Sequence, residues 1–270
     1  MQPTNFTPVR WADLHRQEFL ERLAECPIVY LPLGLCEPHG HIAPFGLDTI
    51  KADYLCDEAA SRFGGIVAPT MGYQIHETGP HAPWLKEVME GENPRIGALP
   101  PHIMMQTFLY QLRAFSNAGF TGVVAISGHH GGAQADLRRV AEEFARDYPI
   151  AFFVCSDPEL VEGRYLNDHA GKYEISQLLH IQPSAIKLDR AERMHSRAFG
   201  GRFAQNPDAH EATADYGRLI TEASFAEIER QVKRIRATAP KEPLPFIPIK
   251  AMDTVWARID ANRTNWMTPD

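Results

Sequence analysis

The stretch CPIVYLPLGLCEPHGHIAPFGLDTI, residues 26–50, decides the fold. Its first nine residues are apolar and too few for a stable helix, which predicts a strand buried on both faces. Its end opens DTIKADYLCDEAASRF, residues 48–63, a helical pattern introduced by an aspartate able to cap. Between them stand Glu37, His39 and His41, with Asp48 at the helix start. A hydrophobic core asks for none of these four groups, so the turn is where chemistry is expected. A strand running through a polar turn into a helix is half of a βαβ unit.

The same alternation continues along the chain. GIVAPT (65–70), TGVVAIS (121–127) and PIAFFVC (149–155) read as further short buried strands. HIMMQTFLYQLRAFSNAG (102–119) and GGAQADLRRVAEEFARD (131–147) read as helices between them. The fold class is therefore α/β, a layered fold with a mostly parallel central sheet flanked by helices. Residues 71–101, rich in Gly, Pro, His and Glu without sustained periodicity, read as a long loop. HEATADYGRLITEASFAEIERQVKRIRA (210–237) reads as a long helix, and the proline-rich stretch after it as an extended tail that packs on the body or on a neighbour. The expected organisation is one domain over 1–270, with its core in about 10–235 and an extended C-terminal tail in 236–270.

Composition narrows the function classes. Apolar residues make up 44% and charged residues 23% of the 270, the profile of a globular chain. A formal net charge of -7, with no Lys/Arg run, disfavours a phosphate backbone as partner. No stretch is long and apolar enough to span a bilayer, and the first residues do not resemble a signal peptide, so no membrane partner and a cytoplasmic location are expected. Cys26, Cys36, Cys56 and Cys155 form no CxxC pair, which argues against a thiolate zinc site and for reduced thiols. A small-molecule substrate remains.

In open α/β sheets, sites form at the carboxyl ends of strands. Glu37 and His39 follow the first strand, His129 and His130 follow TGVVAIS, and Asp168, His169 and Glu174 follow the loop after PIAFFVC. Imidazole and carboxylate together suit borderline divalent ions such as Zn²⁺ and Mn²⁺. A carboxylate has two oxygens and can bridge a pair of ions, a role that suits Asp48. The competing reading makes Asp48 a simple helix N-cap. His130 points elsewhere than its neighbour and is expected to meet substrate. Glu174, five residues after His169 on an expected helix, is either a ligand or a surface carboxylate. His76, His81 and His102 read as loop histidines.

Four segments carry a resemblance. LPLGLCEPHGHIAPFGLDT (31–49) resembles LPxGxxEQHGxHLPxGTDT, GFTGVVAISGHHGG (119–132) resembles GFxxxxxxNGHGGN, DHAGKYEIS (168–176) resembles HAGxxETS, and EATADYGRLITEA (211–223) resembles an ATxxxG helix. In this order and spacing they are similar to the creatininase family of metal-dependent amidohydrolases over roughly residues 10–235. The resemblance implies a layered α/β fold and a dinuclear centre of Zn²⁺ or Mn²⁺, with Fe²⁺ as a further option. It implies hydrolysis of the C–N bond of a small cyclic or linear amide, and assembly into homo-oligomers, hexamers among them. Carried over residue by residue, Glu37, His39, Asp48 and His129 match ligand positions, with Asp48 at the bridge. His169 matches a histidine near the reacting carbonyl, and Glu174 matches the HAGxxE glutamate, read as both ligand and catalytic group. His130, Tyr165 and Asp168 are assigned to substrate binding.

Two departures bear on the substrate. Creatinine hydrolases resemble NGHYEN where this chain has Gly131, and the family's FPGT stretch has no match in residues 71–101. Creatinine is thereby disfavoured, and formyl amides or small peptides are the alternatives the resemblance offers. A metal-binding protein without catalysis, an interaction protein, and a metal-dependent carbohydrate or phosphate hydrolase are the remaining classes.

Overall fold

The computed structural model describes residues 8–79, 81–190 and 201–268. Its elements follow the chain as α1 (Arg16–Glu25), β1 (Ile28–Leu33), α2 (Leu47–Phe63), β2 (Ile66–Val67), β3 (Gln74–Ile75), α3 (His81–Val88) and β4 (Ala98–Leu99). They continue as α4 (Pro101–Asn117), β5 (Gly122–Ser127), α5 (Ala133–Asp147), β6 (Ala151–Ser156), α6 (Lys172–Ile181), α7 (Ala214–Thr238) and α8 (Ala251–Ala261).

The main sheet has the order β2-β1-β5-β6 and every pairing is parallel. Val29 pairs with Ile66 on one side of β1 and with Val123 on the other. Each residue of β1 and β5 is buried, as expected of strands covered on both faces. Val29, Leu31 and Leu33 face a core shared with α4, α5 and α8, while Ile28 and Tyr30 face one shared with α2 and α7. This is a helix–sheet–helix layering, the α/β fold expected from the alternation of elements.

The strand order places the site. From β1 the chain passes to β2 on one side and later returns to β5 on the other, so the switch point lies between β1 and β5. Leu33, Ser127 and Ser156 stand level in register, and the loops after β1, β5 and β6 leave from one edge. The start of α2 is pressed onto that edge. A Cβ at Gly34 would overlap Thr49, and one at Gly128 would overlap the carbonyl of Asp48, so both positions need glycine for the helix to come so close.

Two sequence expectations are corrected. Residues 71–101 are not a structureless loop: β3 pairs in parallel with β4, and α3 between them buries Leu85 and Val88. Pro83 reads as a breaker but lies in the first turn of α3, where its missing N–H has no intrahelical partner in any case. The segment 236–270 is not extended throughout. It carries α8, whose Met252, Val255 and Ile259 recur at helical spacing and are buried in the core shared with α4 and α5.

Candidate metal centre

Asp48 sits inside the first turn of α2, where Gly46 is the N-cap residue, so the capping role is not the one it plays. Neither of its carboxylate oxygens has a hydrogen-bond partner, although both are buried. Leaving a buried acceptor unpaired costs about 1–3 kcal/mol. Glu37 Oε2, His39 Nε2 and His129 Nε2 are likewise buried without a partner.

The side chains converge from three segments. His39 Nε2 lies 3.5 Å from Asp48 Oδ1 and 3.7 Å from Glu174 Oε2. His129 Nδ1 lies 3.7 Å from Asp48 Oδ2 and 2.7 Å from Glu37 Oε1. Two ligand sets result, Glu37–Asp48–His129 and His39–Asp48–Glu174, each with its donor atoms within 4.8 Å of one another. They share Asp48, one oxygen facing each. Metal–ligand distances of about 2.0–2.2 Å give edges of about 3.4 Å in a tetrahedral site, so the spacings fit a divalent ion. A third grouping, Glu37, His39 and His169, overlaps the first two.

Tautomers follow from the hydrogen bonds. His39 Nδ1 stands 3.0 Å from the Glu37 carbonyl and donates to it, which leaves the Nε2 lone pair aimed at Asp48 and Glu174. An outer hydrogen bond of this kind orients metal-binding histidines. His169 Nε2 donates to the Pro38 carbonyl at 2.9 Å, and its ring stacks on that of His39 with centroids 4.7 Å apart. Its Nδ1 therefore carries the lone pair when the ring is neutral. Ser156 Oγ donates to Glu159, so His130 Nδ1, 2.7 Å away, donates to Ser156 and leaves its Nε2 as an acceptor.

Burial and charge oppose each other here. Burial pushes the Asp48 carboxyl up to about 7, although His39 pulls it down. Burial alone would depress His39, yet Asp48, Glu174 and Glu37 hold it up at about 9. Against the upward push of burial, His129 and His169 hold Glu37 well below the usual carboxylate range. Burial opposes, but Lys51 and His39 bring Glu174 down to about 2. In the ion-free protein His39 therefore favours its protonated form at neutral pH, and its Nε2 lone pair becomes available when that proton leaves.

A cavity of about 450 Å³ opens onto this centre. It is lined by Glu37, His129, His130, Asp168, His169 and Glu174, all named from the sequence, and also by His76, His81, Trp84 and Asn167. Of these four, His76 and His81 read as loop histidines in the sequence, and Trp84 and Asn167 were not singled out. His76 Nε2 lies 3.5 Å from Glu37 Oε2, and the rings of His76 and His81 stack at 4.7 Å. Trp84 sets an edge against His169 at 5.2 Å. The polar clustering of 74–81 was the available signal, but only the β3–α3 turn brings it inward.

Gly131 explains part of that placement. A Cβ there would lie 2.6 Å from His129 Nε2 and 2.6 Å from His81 Cε1, so the two imidazoles occupy the volume a side chain would take. Two other expected residues make contacts of their own. Tyr165 packs edge-on against Tyr216 at 5.6 Å and is not among the cavity-lining residues. Asp168 lines the cavity, but its carboxylate accepts the N–H groups of Gly171 and Tyr173, at 3.0 and 2.6 Å, and holds the start of α6. His102 lies in the first turn of α4, outside the cavity.

Comparison with known proteins bears on the family and the fold. The Creatininase family model, described as creatinine amidohydrolase, matches residues 12–233. The chain is 24% identical over 200 residues to the creatinine amidohydrolase of Pseudomonas putida, covering 66% of this chain and 74% of that protein. It is 27% identical over 239 residues to the mycofactocin precursor peptide peptidase of Mycobacterium ulcerans, covering 79% and 86%. A crystal structure of creatinine amidohydrolase superposes with a TM-score of 0.70 at 19% identity, over 87% of this chain and 99% of the other. Solved creatininases of the same fold include a manganese form and a Zn-Zn form, with TM-scores of 0.68 and 0.67 at 20% identity, each over 84% of this chain and 98% of the other. With a family match over residues 12–233, most of its length, the chain belongs to the creatininase family.

Proposed function

We propose that this chain hydrolyses the C–N bond of a small amide at a dinuclear metal centre. The observation that carries the reading is the sharing of Asp48, whose two unpaired, buried oxygens face two separate ligand sets. One position is held by Glu37, Asp48 and His129, the other by His39, Asp48 and Glu174. When bound there, a pair of Zn²⁺ or Mn²⁺ ions polarises a carbonyl and supplies a hydroxide nucleophile at neutral pH.

The chain's own residues do the rest. His169 faces the cavity with its Nε2 fixed on Pro38, so Nδ1 is the atom that takes a proton and hands it to the leaving nitrogen. Burial lowers its pKa, which keeps the ring neutral, with the Nδ1 lone pair free, until that moment. His130 Nε2, oriented through Ser156, accepts a donor group of the substrate. Trp84 and His81 from α3 line the cavity, Trp84 with its ring edge-on to His169. The pocket has the volume of a small-molecule site rather than of a polymer groove.

The peptidase relative, and Gly131 where creatinine hydrolases carry a glutamate, favour an acyclic amide, a formyl amide or short peptide, over creatinine. The test is a panel of cyclic amides, formyl amides, short peptides and phosphomonoesters, run on protein reconstituted with Zn²⁺ or Mn²⁺ after chelator treatment. Turnover of amides with about two ions per chain supports the reading. Reconstituted protein that holds no ion, or that cleaves only phosphomonoesters, overturns it.

A further inference from the structure

Lys51 stands one turn past Asp48 on α2 and is completely buried. Its ammonium lies 2.6 Å from Glu174 Oε1, 3.5 Å from Asp157 Oδ1 and 3.8 Å from Asp48 Oδ1. A buried ammonium persists only where carboxylates offset its desolvation, and here three surround it. The other oxygen of Glu174 accepts the Ala170 N–H at 2.8 Å and faces His39 Nε2. Glu174 is thus divided, with Oε1 on Lys51 and Oε2 towards His39 and Asp48.

The two ligand sets differ in this respect. Lys51 pairs with two members of the His39–Asp48–Glu174 set, Asp48 and Glu174. In the other set Glu37 and His129 face each other and Asp48, and no lysine or arginine pairs with either among the described residues. With Oε1 engaged, Glu174 has a single oxygen to offer, and a fixed positive charge stands behind that carboxylate. Like charges this close in a poorly screened interior repel strongly.

On the dinuclear reading proposed above, we infer that Lys51 is a positioning residue that neutralises Glu174 before any ion arrives and makes the two metal positions unequal. The Glu37–Asp48–His129 position fills first. The His39–Asp48–Glu174 position binds its ion more weakly, in competition with the ammonium. Asp157 moderates that competition, because it draws Lys51 away from Glu174 and is itself held by the Tyr173 hydroxyl at 3.2 Å.

Calorimetric titration of the chelator-stripped full-length protein with Mn²⁺, repeated with Zn²⁺, tests the assignment. The wild type should bind in two steps whose Kd values differ by about tenfold or more, the scale of outer-shell effects on metal affinity. Lys51→Met removes the charge at similar volume and should tighten the second step by about tenfold while leaving the first nearly unchanged. Asp157→Asn should do the opposite and weaken the second step. A merely structural role would loosen binding in both variants, so a weakened or unchanged second step in Lys51→Met overturns the inference. If Lys51→Met does not fold, the wild-type separation and the Asp157→Asn shift decide: two equal steps, or no weakening, overturn it. Two ions of equal affinity would leave the dinuclear reading standing without Lys51's part, whereas no bound ion would remove both.

Discussion

The ring of His169 lies on the ring of His39 with centroids 4.7 Å apart and planes 17° from parallel, while its Nε2 is bonded to the Pro38 carbonyl. One histidine of the pair directs a lone pair at two carboxylates and the other directs its lone pair at the cavity. Stacking keeps the second at a fixed distance from the first without sharing its ligands. His169→Ala should therefore keep both ions and lose rate by roughly 10² to 10⁴, as for a lost proton-transfer group. Metal content and kcat, measured on the same preparation, check this; loss of an ion would make His169 a ligand instead.

Asp48→Ala should be the most damaging single change to metal binding, because each of its oxygens faces a different ligand set. It should not unfold the protein. The carboxylate caps nothing and is buried among other acids, and its carboxyl is pushed up by burial to about 7, so its charge costs stability in the ion-free protein. The expected outcome is less than one ion per chain by elemental analysis, with an ion-free melting temperature equal to or above that of the wild type.

Gly131→Ala tests the packing of the imidazoles. The new Cβ would meet His129 Nε2 and His81 from opposite sides at well under van der Waals distance, so one ring must move. Displacement of His129 should weaken the first ion by about 10- to 100-fold. Titration with a chelator-buffered ion measures it, and unchanged affinity would show that His81 alone gives way.

Metal affinity should rise with pH. In the ion-free protein, burial would depress His39 but its carboxylates hold it near 9, so between pH 7 and 9 a proton and an ion compete for Nε2. The second ion should then bind about tenfold more tightly per pH unit up to 9 and level off above it. Below 7 protonation of Asp48 steepens the slope. For the ion-free fold the sign is the reverse. The raised pKa of His39 contributes stability in full below its unfolded value of about 6.5, and that contribution fades as pH climbs to 9. Calorimetry in buffers of different ionisation enthalpy, and melting curves across that range, check both signs.

The chain should assemble with copies of itself, as its family resemblance implies. Phe246 and Ile249, beside α8, are 75% and 60% exposed, a large apolar area for a lone chain to leave in water. Light scattering at micromolar concentration should give a multiple of the single-chain mass, and a species of one chain's mass would count against assembly.

Much of this was legible in the residue order. The strands 26–34 and 121–127 and the helix 48–63 were visible because the shortness of an apolar run marks a buried strand and helical spacing an amphipathic helix, and the elements lie within a residue or two of those bounds. Glu37, His39, Asp48 and His129 stood out because ionisable groups sit where strands end. The segment 71–101 was misread because proline and glycine punctuate it, yet eight residues with buried Leu85 and Val88 are enough for a helix once Ile96, Phe203 and Ala204 pack against them.

The sequence by itself determined the α/β layering and the kinds of side chain available, since both depend on spacing along the chain. Only the tertiary structure decided how they meet. It turned Tyr165 onto Tyr216, committed Asp168 to the start of α6, and carried His81 into the space left by Gly131. It also set Lys51 against Glu174, 123 positions away in the chain. A lysine on a helix reads as a solvated charge from local pattern alone. Its burial is settled by which distant carboxylates the sheet order delivers to the same edge, and no spacing along the chain encodes that.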